Sequence, residues 1–71
     1  MPATKSRPGE RVARARVAAG LTQPALAERV GVGRQTIARI EAGRQTPSVE
    51  IALAIAAALG EPVENLFGGE R

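Results

Sequence analysis

The stretch GVGRQTIARIEAG, residues 31–43, decides how this chain is read. It runs between glycines and carries two isoleucines three apart, Ile37 and Ile40. In a helix starting at Arg34, with about 100° per residue, Ile40 lies about 60° from Ile37, so the two share one apolar edge. Gln35 and Arg39 then fall about 160° and 200° from Ile37, on the opposite side. Ala38 and Ala42, about 100° and 140° round, lie on the same outward side and are small enough to let a partner approach the backbone. Arg34 stands at the helix start, on its flank. Such a helix is anchored by isoleucine and presents Arg, Gln and Arg outward, with no acid among them.

The segments on either side extend this pattern. A first helix can begin near Pro8, which suits a first turn. Val12, Ala13 and Val17 give it an apolar stripe with Arg11, Arg14 and Arg16 around it, and Gly20 ends it. Leu21 packs inward and Thr22 caps a second helix through its hydroxyl. Pro24 is tolerated in that first turn because its missing N–H has no helical partner anyway. Leu26, Ala27 and Val30 form the buried side, and Gly31 closes the helix. After the helix from Arg34 to Glu41 comes the loop Arg44–Pro47. Ser48 then caps a fourth helix, Val49–Leu59, closed by Gly60. A short fifth helix spans about Pro62–Phe67. Residues 1–7 read as a mobile arm and 68–71 as a frayed tail, with one domain over 8–67. The fold class is all-α, with five helices and no strand pattern.

Composition restricts the function. Seventy-one residues hold one small core. There is no Cys, His, Tyr or Trp, and the only Phe is Phe67, so the core is aliphatic and no disulfide or Cys/His metal site is available. The acids are seven Glu, scattered along the chain, and there is no Asp. General acid–base and nucleophilic catalysis have little to draw on, so an enzyme is not expected, nor a metal or organic cofactor. The longest charge-free apolar run, IALAIAAAL, has nine residues. That is far below the roughly 20 that cross a bilayer, so a cytoplasmic chain with no membrane partner is expected. Net charge is +3, unevenly spread. Residues 1–45 hold nine Lys/Arg against three Glu, and residues 46–71 hold one Arg against four Glu. A basic half and an acidic half suit a polyanion on one side only, though a solvated arginine face gives the same count.

Helices two and three are separated only by Gly31, Val32 and Gly33, which is the helix-turn-helix arrangement. Its demands are met at five positions. Ala27 permits close crossing, Gly31 supplies a positive φ, Val32 plugs the turn, and Ile37 and Ile40 anchor the second helix. In this arrangement the N-terminal residues of that helix reach base edges, Arg pairing with guanine and Gln with adenine.

At this point the sequence LTQPALAERVGVGRQTIARIEAGRQTPSVEIALAIAAALGEPVENLF resembles the Cro/repressor-type helix-turn-helix family, the XRE family of phage and bacterial regulators. The resemblance covers residues 9–67. It implies a five-helix, lambda-repressor-like domain that binds operator DNA, usually as a homodimer on a pseudo-palindromic site. It implies base contacts from Gly33, Arg34, Gln35 and Arg39. It implies backbone contacts from Gln23, Thr36, Arg44, Gln45 and Thr46, with Gln23 also bracing helix three. It implies an ion pair between Arg16 and Glu41 that fixes the tilt of the recognition helix. Arg7, Arg11 and Arg14 read either as a solvated face or as further phosphate contacts.

Three departures stand out. Gly33 replaces the usual capping Ser or Thr. Pro24 replaces a frequent Glu, which removes a capping box. Ala54, Ala57 and Ala58 stand where relatives often carry polar groups. The fourth helix is apolar all round, so one of its sides is left over for an interface. Ile51, Ala54, Ala58, Leu66 and Phe67 form the candidate dimer contact. The alternative to an operator-binding regulator is a protein-interaction module, such as an antitoxin, that kept the fold and binds a partner protein.

Overall fold

The computed structural model describes residues 7–68. The arm expected over residues 1–7 and the tail expected over 68–71 fall outside these residues, except for Arg7 and Gly68. The described residues form α1 (Pro8–Ala18), α2 (Gln23–Val30), α3 (Arg34–Glu41), α4 (Val49–Leu59) and α5 (Val63–Phe67), with no strand among them. The helix expected over Pro62–Phe67 begins one residue later, because Pro62 is the N-cap in extended backbone.

Local chemistry sets the boundaries. The Thr22 hydroxyl accepts the Ala25 N–H at 3.1 Å, and the Ser48 hydroxyl accepts the Ile51 N–H at 3.2 Å. At α1 the Glu10 carboxylate reaches back to accept the Arg7 backbone N–H at 3.3 Å. Each such cap satisfies a backbone donor that the helix leaves unpaired. At α3 the N-cap is Gly33, which has no side chain to offer. Between α2 and α3, Gly31 takes φ +90°, and the N–H groups of Gly31 and Val32 both donate to the Ala27 carbonyl at 2.8 and 3.0 Å. A side chain at position 31 would be strained in that left-handed conformation.

The core consists of Val12, Leu26, Ala27, Ile37, Ile40, Ile55, Ala56 and Leu66. Leu26, Ile37, Ile55 and Val12 are its largest fully buried side chains. α3 rests on α1 and α2, α2 on α4, and α5 closes the other end against α1 and α4. α1 approaches α3 tightly at Gly9. A Cβ there would lie 2.5 Å from the carbonyl oxygens of both Ile40 and Glu41. These are backbone atoms at the end of α3 and cannot swing aside, so only glycine lets α1 seat at this depth.

The buried face of α1 differs from the expected Val12–Ala13–Val17 stripe. Val12 is fully buried, but Val17 is 66% exposed and Ala13 is half-buried. Gly9 and Val12 face inward, with Ala15 and Arg16 partly buried. The polar contacts of Arg16 and the close fit at Gly9 set the rotation of α1, which apolar spacing alone did not anticipate. No helix is long and apolar enough to cross a membrane among the described residues.

Candidate nucleic-acid interface

α3 separates its two faces more sharply than α1, α2 or α4. Ile37 and Ile40 are buried, at 0% and 2% exposure. Arg34, Gln35 and Arg39 are exposed on the other side, with Gly33 and Ala42 exposed at the two ends. Thr36 and Ala38 are half-buried between them. The outward row deduced from the helical wheel is therefore present, and it stands on a platform fixed by core packing.

A polar network beneath the row fixes the helix further. The Arg16 Nε donates to Glu41 Oε2 at 2.7 Å, and Nη2 donates to Oε1 at 3.1 Å. Arg16 Nη1 also donates to the Leu21 carbonyl at 2.8 Å. Gln23 Nε2 donates to Glu41 Oε1 at 3.0 Å. Arg34 Nη1 in turn donates to Gln23 Oε1 at 3.2 Å. One carboxylate thus collects donors from α1 and α2 and, through Gln23, reaches the first residue of α3. The Glu41 side chain is only 7% exposed and that of Arg16 15%. Fork-shaped pairing of this kind is directional as well as strong. The hydrogen bond to Glu41, more than its charge, holds the Arg16 pKa above the ordinary arginine value despite desolvation. The pairing expected of Arg16 and Glu41 is present, and so is the bracing of α3 by Gln23. The link from Gln23 on to Arg34 leaves no mark in the sequence, because it depends on two flexible side chains meeting across the turn.

The loop after α3 lies beside this face. Gly43 and Arg44 turn back on α3, their N–H groups donating to the carbonyls of Ile40 and Arg39 at 3.1 and 2.9 Å. Arg44 and Thr46 are exposed and Gln45 is half-buried. Gln45 and Thr46 also wall a cleft of about 390 Å³, whose apolar side comes from Ile40, Pro47, Val49 and Phe67. Arg11 is placed elsewhere. Its guanidinium donates to the carbonyls of Leu66 and Gly68 at 3.2 and 3.0 Å, clamping the end of α5 onto α1.

The expected dimer set requires a correction. Leu66 is 2% exposed and belongs to the core, so its side chain cannot meet a partner. Ile51, Ala58 and Phe67 pack against the core and are only partly open, and Ala54 is likewise half-buried. The open apolar side of α4 is Val49 and Leu53, at 76% and 51% exposure, followed by exposed Ala57. The sequence of α4 does not single out Val49, Leu53 and Ala57, because the helix is apolar in every direction. The burial of Ala52, Ile55 and Ala56 on the opposite side sets its i, i+4 register onto solvent.

Comparisons with known proteins agree with this geometry. A family model described as helix-turn-helix matches residues 12–66. The chain belongs to this helix-turn-helix family. It is 59% identical over 49 residues to an uncharacterised HTH-type transcriptional regulator of Methanothermobacter thermautotrophicus, covering 68% of this chain and 71% of that protein. It is 47% identical over 47 residues to an uncharacterised HTH-type transcriptional regulator of Methanocaldococcus jannaschii, covering 66% of this chain and 71% of that one. Among solved structures, the P22 c2 repressor in complex with a synthetic operator superposes with a TM-score of 0.87 at 30% identity, covering 93% of this chain and 100% of that one. The restriction-modification controller protein C.AhdI from Aeromonas hydrophila gives 0.81 at 33% identity, covering 84% and 91%. The Cro/repressor-type resemblance and the five-helix fold class read from the sequence both hold. DNA-binding transcriptional regulation is the function that this membership carries, and a partner-binding module that abandoned DNA is not favoured.

Proposed function

We propose that this helix-turn-helix protein regulates transcription in the cytoplasm by binding a pseudo-palindromic operator as a homodimer, without catalysis. The observation that carries the reading is the exposed row Arg34, Gln35 and Arg39 on a helix whose inner face is fully buried and whose end is held by Glu41. Arg and Gln are the residues that make bidentate contacts to purine edges in the major groove. Gln35 and Arg39 read bases. Gly33 lets the backbone approach them, and Arg34 works at the edge of the groove. Gln23, Thr36, Arg44, Gln45 and Thr46 meet phosphates on either side. A rigidly held helix favours tight docking, because less backbone freedom is lost on binding.

The second copy is proposed on the open side of α4. Val49 and Leu53 are one turn apart on one face, and Val49 continues into the cleft walled by Pro47 and Phe67. Dimerisation there must place two α3 helices roughly 34 Å apart to enter successive major grooves. The test is selection of genomic DNA fragments by the purified protein against excess random competitor, at two salt concentrations. One sequence family with two half-sites, held less tightly at high salt, is the expected result. Recovery without sequence preference overturns the operator reading.

A further inference from the structure

The outward side chains of α3 are not independent groups. Arg39 Nη2 donates to Gln35 Oε1 at 3.4 Å, one turn apart on the exposed face. Arg34 Nη1 donates to Gln23 Oε1 at 3.2 Å at the other end of the row. In both pairs the glutamine carbonyl is turned toward a guanidinium. The one acid of the helix, Glu41, is 7% exposed and occupied by Arg16 and Gln23. The face therefore presents donors to the groove: the remaining guanidinium N–H groups of Arg34 and Arg39, and the Gln35 amide. No carboxylate stands among them.

This arrangement has a consequence for the bases it accepts. Guanine offers two acceptors, O6 and N7, in the major groove, whereas adenine offers N7 beside an amino donor, and cytosine offers an amino donor. Bidentate reading of adenine needs the glutamine carbonyl aimed at that amino group. Here the carbonyl of Gln35 lies along the cation of Arg39, and the guanidinium itself repels an amino donor placed next to it. Resting on the operator reading above, we infer that Gln35 and Arg39 act as one donor unit that selects guanine acceptor edges at neighbouring positions of the half-site, rather than an adenine under Gln35. The free carbonyl lone pair of Gln35 does not change the sign, because the positive charge beside it favours acceptors at the step both residues share.

The experiment is selection of a randomised DNA library by the full chain, followed by binding to the winning site with 7-deazaguanine replacing each guanine in turn. Guanine is expected at two neighbouring positions of each half-site, on either strand. Removing N7 there takes away one of the two acceptors of such a contact and should weaken binding by about 2- to 13-fold, the worth of one hydrogen bond. The variant Gln35→Glu puts a carboxylate beside Arg39 and should move the preference at one of these positions toward cytosine. Enrichment of adenine at the Gln35 position, with binding indifferent to 7-deazaguanine, overturns the inference and leaves operator reading in place. No sequence enrichment at all removes operator reading itself, and the inference falls with it.

Discussion

α3 and α4 both turn one side to solvent, but the two sides could not be more different to read. α3 has two isoleucines inside and Arg34, Gln35 and Arg39 outside, so hydropathy alone separates its faces. α4 reads VEIALAIAAAL, and after Glu50 nothing in it distinguishes inside from outside. A helix with a polar outer row announces its orientation, whereas a helix that is apolar on every side hides its own among core residues. Only packing assigns Ala52, Ile55 and Ala56 inward and Val49 and Leu53 outward.

The comparison can be broken first at the inner anchor of α3. Ile37→Ala removes a fully buried side chain and should cost about 2–5 kcal/mol. A domain of this size is stable by about 4–10 kcal/mol, so thermal denaturation should show a large drop in Tm or no folded state. A shift of only a degree or two would mean that α3 is not anchored as described.

Next is the network that sets the tilt of α3. Glu41→Gln keeps the shape, removes the charge that three donors share, and should cost about 1.5–3 kcal/mol. Operator affinity should fall with it, as Arg34 loses the support of Gln23. The pH dependence carries a sign. The folded-state pKa of Arg16 is raised, so its contribution is complete below the unfolded arginine value and is lost only as pH rises through the folded one. From the arginine side, the pair should therefore be indifferent to pH throughout the neutral range, as chemical denaturation at pH 6 and pH 9 can check.

Gly9→Ala should be milder than either. The clash with two carbonyls costs about 1–3 kcal/mol, partly offset by the better helix propensity of Ala. A variant as stable as the parent would show that α1 can shift away from α3. Leu53→Glu should do least to the fold, within about 0.5 kcal/mol, since the site is half exposed. It should nevertheless shift the protein toward monomer in sedimentation and weaken binding to two-half-site DNA. Unchanged sedimentation would move the self-association face away from α4.

Much of this was legible in the chain. Thr22 and Ser48 caps, the Gly31 turn and the Ile37/Ile40 anchor are local features, and each was placed from its own neighbours. The Arg16–Glu41 pair was legible only through family resemblance, since it joins residues on α1 and α3. Most of what the chain hid depends on how whole helices rotate and approach one another. Val17 fitted an apolar stripe but lies outside, because Gly9 and Arg16 set the rotation of α1. Leu66, expected in the dimer contact, fills the core under the Arg11 clamp. Gly9 gave no signal at all, since the two carbonyls it spares belong to a helix thirty residues away.

The central claim, that the exposed row of α3 reads DNA sequence, is tested most directly by the ratio of affinities for the selected operator and for random DNA, measured at one salt concentration for the parent protein and for Arg39→Ala. The expected result for Arg39→Ala is a loss of about 1–3 kcal/mol on the operator, little change on random DNA, and relaxed discrimination at one base pair. Equal losses on both DNAs would contradict it, and would make Arg39 a contact to the phosphate backbone.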